Sequence, residues 1–291
     1  MSIKLENEWV EAQFKAEGAE QTSFKLKADG CEYLWQGDPK VWGRHAPVLF
    51  PIVGKVKNNE YFIDSECFKL SQHGFARDMK FQVLAQDQTS VEFKLCDSEE
   101  TRTGYPYGFE LSIYYQLIES SIKTTYKIQN TGDDTMYFSI GAHPGFLCPL
   151  TTSECFSDYY LEFGGGTVFN YKRLTKESLV SMEQHQLILE NGILPLKEAL
   201  FADGVLIFDN LASDLVMLKN TKNDKKLEMS FPGFDYFGVW TTTSDPSFIC
   251  LEPWFGIADF ENSTGNFKEK GGIRTLAKGE VFTCAFSVKI S

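Results

Sequence analysis

The sequence predicts an all-β fold, a sandwich or barrel of antiparallel strands. Three observations predict it: strand-like runs follow one another at short spacing, their connections carry Gly, Asn and Asp turn signals, and helical periodicity is scarce. Nowhere do strands alternate with long helices, as a parallel α/β sheet requires.

The elements are taken in chain order. Ser23–Lys27 and Glu32–Trp35 flank Ala28-Asp29-Gly30, whose Asp-Gly pair is a hairpin signal. Glu60–Ile63 and Cys67–Leu70 pair around Asp64-Ser65. Lys80–Ala85 and Ser90–Leu95 alternate apolar and polar residues around Gln86–Thr89. Phe109–Ile118 and Ser121–Gln129 turn at Glu119-Ser120. Val205–Phe208, Leu215–Leu218, Lys226–Phe231, Phe237–Thr243 and Phe248–Leu251 continue the series, and Val281–Ile290 closes it. Arg173–Met182 and Pro195–Phe201 read as short helices or turns. Gly164-Gly165-Gly166 follows a strand without the Lys-Ser/Thr of a phosphate loop, so it reads as a flexible turn. There is no repeat period, and no linker or charge block divides the chain. Residues 1–291 are therefore expected to form a single domain.

Composition narrows the function. Hydrophobic residues make up 43% of the 291 positions, enough for a sizeable core. A net charge of -12 disfavours nucleic acid and anionic membrane surfaces. No run approaches the roughly 20 apolar residues of a membrane helix. The opening MSIKLENEWVEAQF lacks the basic start and apolar run of a signal peptide. The seven cysteines are scattered, odd in number and without a C-x-x-C, which reads as reduced thiols in a cytoplasmic protein.

Few residues offer chemistry. Of four histidines, His73 opens His73-Gly74-Phe75-Ala76-Arg77-Asp78 and His143 sits in Gly141-Ala142-His143-Pro144-Gly145-Phe146. Each ends a strand-like run where Gly or Pro turns the chain, so each reads either as a cleft residue or as a turn cap. Glu252 lies inside Phe248-Ile249-Cys250-Leu251-Glu252-Pro253-Trp254-Phe255, and Pro253 is expected to end the strand just after it. Burial there raises a carboxyl pKa and makes a better base, whereas an exposed strand-end glutamate is the plainer alternative. His143, Cys148 and Cys155 fit no zinc spacing, and no dinucleotide or Ser-hydrolase motif is present. Most of the aromatics read as core, although such rings also stack on sugars.

Taken together, these segments resemble the aldose 1-epimerase (galactose mutarotase-like) family. The resemblance runs from Trp35 through APVLFPIVGKVKN at 46–58, HGFARD at 73–78 and GAHPGF at 141–146 to CLEPWFG at 250–256. The APVLFPIVG and EPW wording is similar to the LacX-like branch. The resemblance implies a large antiparallel β-supersandwich with an open sugar cleft. It implies Glu252 as general base, His143 as general acid and His73 as a ligand of the sugar hydroxyls or ring oxygen. Arg77, Arg44, Asn58 and Asp203 are expected at the substrate, with Asp209 the second choice for the aspartate. Where the family's sugar mutarotases carry an Asn-Arg pair, this chain has Lys55, Lys57, Asn58 and Asn59. A related hexose-6-phosphate branch holds phosphate with arginines, and Arg44 and Arg77 sit at comparable places.

The function so implied is cofactor-free and metal-free interconversion of the α and β anomers of an aldose. The expected partner is a small-molecule sugar, with neither nucleic acid nor membrane, for a monomer or homodimer. One alternative is a hexose 6-phosphate substrate, suggested by the basic stretch Arg44, Lys55 and Lys57. Another is a sugar-binding or regulatory protein of the same fold, which has no need of an acid–base pair. A glycosidase ranks last, because it needs two catalytic carboxylates and only Glu252 is well placed.

Overall fold

Alternation decides which face each strand buries. Phe109–Ile118 buries Phe109, Leu111, Ile113, Tyr115 and Leu117, and Ser121–Asn130 buries Ile122, Thr124, Tyr126, Ile128 and Asn130. The two pair antiparallel through the turn at Glu119-Ser120. In the computed structural model, which describes residues 2–244 and 246–291, they sit within a sheet of nine strands. Its order is Ile193–Pro195, Tyr159–Phe163, Leu215–Asn220, Lys226–Ser230, Val281–Ile290, Ser121–Asn130, Phe109–Ile118, Ser90–Cys96 and Gln82–Gln86.

A second sheet runs His185–Ile188, Val168–Lys172, Leu206–Asp209, Tyr236–Trp240, Phe248–Phe255, Ile140–Ala142 and Val48–Leu49, with Gly145–Leu147 also paired to Phe248–Phe255. Side chains of the two sheets meet in one large core: Leu111 and Ile113 from the first join Phe208, Val239, Ile249 and Leu251 from the second. Three smaller sheets complete the strands, among them Ser2–Glu6, Val10–Lys15 and Gln21–Leu26. The chain is thus all-β and antiparallel, as the strand pattern predicts.

Phe248–Phe255 is buried along its whole length. Ile249, Leu251 and Phe255 face the main core. On the opposite face Phe248 and Cys250 pack with Trp35, and Trp254 packs with Val53 and Ile207. A strand covered on both faces reads as a continuous apolar run, which is how it stands in the sequence.

The hairpins at 60–69, 82–96 and 109–130 form where the sequence places them. Glu32–Trp35 does not form a strand and makes only isolated bridges, Lys25 to Glu32 and Leu34 to Phe146. Two backbone bonds remain, Tyr33 amide to Phe24 carbonyl at 2.9 Å and Leu26 amide to Cys31 carbonyl at 3.0 Å, while the Glu32 carboxylate accepts the amides of Phe24 at 2.7 Å and Leu34 at 2.9 Å, and the Ser23 hydroxyl at 2.5 Å. Arg173–Met182 is a loop with two isolated bridges, Leu174 to Val180 and Val180 to Phe260, and only Glu198–Phe201 of the second helical candidate winds into a short 3-10 turn. The α-helix Glu99–Gly104 went unread although Ser98 and Thr101 cap it reciprocally. Among the described residues no helix is long and apolar enough to cross a membrane.

Candidate active site

The strand Phe248–Phe255 positions the site. On one side it pairs with Tyr236–Trp240. On the other it pairs first with Gly145–Leu147 and then with Ile140–Ala142. Leu251 donates its amide to the Pro144 carbonyl at 3.2 Å. Two residues on, Pro253 has no amide to offer the same side, and there the partner strand is broken around His143. Pro253 therefore lies inside the strand, correcting the expectation that it ends it, and its missing donor breaks no ladder bond. The pairs Gly145–Cys250 and Gly141–Trp254 share one register, which sets His143 directly opposite Glu252.

His143 Nε2 lies 3.2 Å from Glu252 Oε2, and the Glu252 side chain is 1% exposed. Among the described residues neither Glu252 Oε2 nor His143 Nδ1 has a hydrogen-bond partner, so the two groups are close but not aligned. The Trp42 ring stacks on His143 with centroids 5.0 Å apart, and Trp240 meets the imidazole edge-on at 5.8 Å. Burial pushes the Glu252 carboxyl well above its ordinary 4.5; the Trp254 indole, near the carboxylate but short of hydrogen-bond geometry, pulls the other way. Burial also drives His143 down to about 3, and the nearby Arg77 and Arg44 charges add to this. Both shifts favour the uncharged form of each partner.

His73 completes a cluster, its ring meeting that of His143 edge-on at 5.6 Å. Its backbone takes φ 68°, left-handed space that costs a non-glycine residue about 1–3 kcal/mol. Two bonds to one residue hold it there: the His73 amide donates to the Gly54 carbonyl at 2.7 Å, and the Gly54 amide donates to Nδ1 at 3.1 Å. Neutral His73 thus carries its proton on Nε2, the nitrogen beside the Gln72 side chain at 3.2 Å. Burial keeps the ring neutral, with the His143, Arg77 and Arg44 charges acting the same way. Arg77 donates to the Gln72 carbonyl at 2.7 Å, and its buried Nε makes no hydrogen bond among the described residues but stands 3.7 Å from the Asp78 carboxylate.

These groups share a cavity of about 660 Å³, within the usual range for small-molecule sites. His73, Arg77, His143, Asp203 and Glu252 all line it. Asp209 does not; it is ion-paired with Lys172 at 2.5 Å, so of the two aspartates Asp203 is the one on the lining. Arg44 and Asn58 also stand outside the lining. Arg44 is tied to Asp78 at 2.9 Å, and Asn58 is exposed on a turn whose φ of 58° suits asparagine.

Sequence reasoning passed over three tryptophans of the wall, Trp42, Trp240 and Trp254. Trp254 was findable: two residues beyond Glu252 on one strand, it shares that residue's face. Its indole covers glycines on both neighbouring strands. A Cβ on Gly238 would stand 2.7 Å from the ring, and one on Gly141 would stand 2.6 Å from it. Cys250 precedes Glu252 on the same face, and ligand atoms of His143, Cys250 and Glu252 all lie within 4.8 Å of one another. Cys148 and Cys155 take no part in that group.

The model of the aldose 1-epimerase family matches residues 1–281. The plasmid-encoded protein LacX of Lactococcus lactis subsp. lactis is 37% identical over 266 residues, 89% of each chain. A galactose mutarotase related enzyme from Lactobacillus acidophilus superposes with a TM-score of 0.95 at 33% identity, over 100% of this chain and 97% of the other. A galactose mutarotase-like protein from Lactobacillus casei gives 0.93 at 28% identity, over the whole of both chains.

Proposed function

The chain belongs to the aldose 1-epimerase family, and we propose that it is a mutarotase, interconverting the α and β anomers of a free aldose by opening its ring. The observation that carries this reading is the pair His143 and Glu252, 3.2 Å apart inside a sugar-sized, tryptophan-walled cavity.

Mutarotation needs two proton transfers and no redox change. Glu252, as carboxylate, takes the proton of the anomeric hydroxyl. His143, as imidazolium, protonates the ring oxygen as the C1–O5 bond breaks and its electron pair leaves with O5. The aldehyde turns about C1–C2, and the transfers reverse to close the ring on its other face. Opening converts an imidazolium–carboxylate pair into imidazole and carboxylic acid. Those are the forms that burial favours, so the desolvated cavity assists the opening step. His73 Nε2–H and the Arg77 guanidinium donate to sugar oxygens, Asp203 accepts from a hydroxyl, and the tryptophan faces carry the apolar side of the ring.

The test is anomer exchange followed by NMR over a panel of free aldoses and their 6-phosphates. Acceleration by catalytic amounts of protein is expected. Saturable sugar binding without acceleration of any member of the panel would overturn the reading in favour of a binding protein.

A further inference from the structure

Cys250 stands beside the acid–base pair and has no part in the proton transfers. We propose that His143, Cys250 and Glu252 form an inhibitory site for a borderline-soft divalent cation of the zinc class.

The placement comes from the strands. Cys250 and Glu252 are two residues apart on one strand and project from the same face, and His143 stands opposite Glu252 in the shared register. One ligand atom from each lies within 4.8 Å of the other two, and the His143–Glu252 separation is 3.2 Å. Ligands of a tetrahedral zinc stand on the order of 3.5 Å apart, so side-chain rotation of about an ångström gathers the set. Glu252 Oε2 is buried and lacks a hydrogen-bond partner among the described residues, so no bond within the protein competes for it.

The donor set selects the ion. Thiolate, imidazole and one carboxylate suit zinc or cobalt, whereas magnesium and calcium require oxygen ligands that this group does not supply. Entry is through the cavity that His143 and Glu252 line; Cys250, fully buried, stands off that lining. On the far side Cys250 packs with Trp35 and Phe248, which close the site to water. A bound cation takes the Nε2 lone pair and the carboxylate together, so proton transfer stops. Inhibition rests on the mutarotase reading, but cation binding does not.

Cobalt(II) chloride is the probe, added to the whole protein under argon. The expected result is a thiolate-to-cobalt charge-transfer band at one equivalent, displaced by zinc chloride and insensitive to magnesium. The band is lost in Cys250→Ser and Cys250→Ala, and it weakens in Glu252→Gln. In parallel, zinc abolishes anomer exchange and a chelator restores it, and the half-inhibitory zinc concentration rises at least about tenfold in Cys250→Ser. An absent band would overturn the proposal, and so would one unchanged in both Cys250 variants, which would place the cation on another of the seven cysteines. A band in a protein that exchanges no aldose would leave the cation site standing and defeat the mutarotase reading.

Discussion

His143 faces Glu252 across a break between two strands, with Nε2 3.2 Å from Oε2. The separation is a backbone property: Gly145–Cys250 and Gly141–Trp254, on either side of the break, hold one register. Groups carried on paired strands keep their spacing better than groups on loops, and proton transfer to one small ring needs such spacing. A glycine stands two residues to either side of His143, and at Gly141 it leaves room for Trp254.

Glu252→Gln is expected to lower the exchange rate by about 10²–10⁴-fold, the usual worth of a general base, without loss of fold. The amide is nearly isosteric and cannot take the proton. His143→Asn should do the same from the acid side. Exchange by Glu252→Gln within a factor of about three of wild type, measured by NMR, would reduce Glu252 to a buried structural residue.

Stability should carry the signature of the pair. The Glu252 carboxyl is raised in the folded state, so its contribution is full below 4.5 and is lost as pH rises through the raised value. His143 is lowered to about 3, so its contribution is full above 6.5 and is lost as pH falls toward 3. Glu252→Gln removes only the first loss, and its Tm relative to wild type should climb as pH rises above 4.5. His143→Asn removes only the second and should soften the acid limb. A Tm difference independent of pH in both variants would mean that the pair titrates as it does in water.

The parts of the site legible in the sequence are those with a local cause. A carboxylate inside an apolar run and histidines before Gly or Pro stand out without any partner in view, and the structure brings Glu252, His143 and His73 to one cavity. The opposition of His143 to Glu252 was not legible, because register depends on which strands pair over more than a hundred residues. Trp42 stacks on His143 from a segment with no strand period, so nothing nearby marked it as wall rather than core. Glu32–Trp35 departs from the expected strand for a physical reason: the Asp-Gly signal predicts a hairpin, but the Glu32 carboxylate takes the Phe24 and Leu34 amides and leaves only isolated bridges. Asn58 and Arg44 were placed by resemblance, and local turn geometry and the ion pair with Asp78 hold them elsewhere.

Gly238 pairs with Glu252 on the next strand, and its missing side chain admits the Trp254 ring. In Gly238→Ala the new methyl would stand 2.7 Å from that indole, between two buried strands that cannot separate. The variant should lose about 1–3 kcal/mol in denaturant unfolding, the range for overpacking, and its KM should rise as the wall tilts. Gly43→Ala, whose nearest neighbour would be 3.5 Å away, serves as control. Equal stability of the two variants would show that Trp254 yields without cost.

Free aldoses should be better substrates than their 6-phosphates. A phosphate dianion needs charge-assisted donors free to reach it. The basic stretch that suggested phosphate is already engaged: Arg44 binds Asp78 at 2.9 Å, Lys55 donates to the Glu177 carbonyl at 3.3 Å and Lys57 to the Glu261 carbonyl at 2.8 Å. Within the cavity, Asp203 opposes a second anion, and the positive charge on the lining comes from Arg77 and Lys176. The expected ratio of kcat/KM, free hexose over its 6-phosphate, is at least about tenfold, equivalent to about 1.4 kcal/mol at the transition state. Arg77→Gln should lower the rate on free hexose modestly, through one lost donor to a sugar oxygen. A ratio inverted in favour of the 6-phosphate, and collapsing in Arg77→Gln, would make the Arg77 guanidinium a phosphate anchor and move the protein to the phosphate-handling branch.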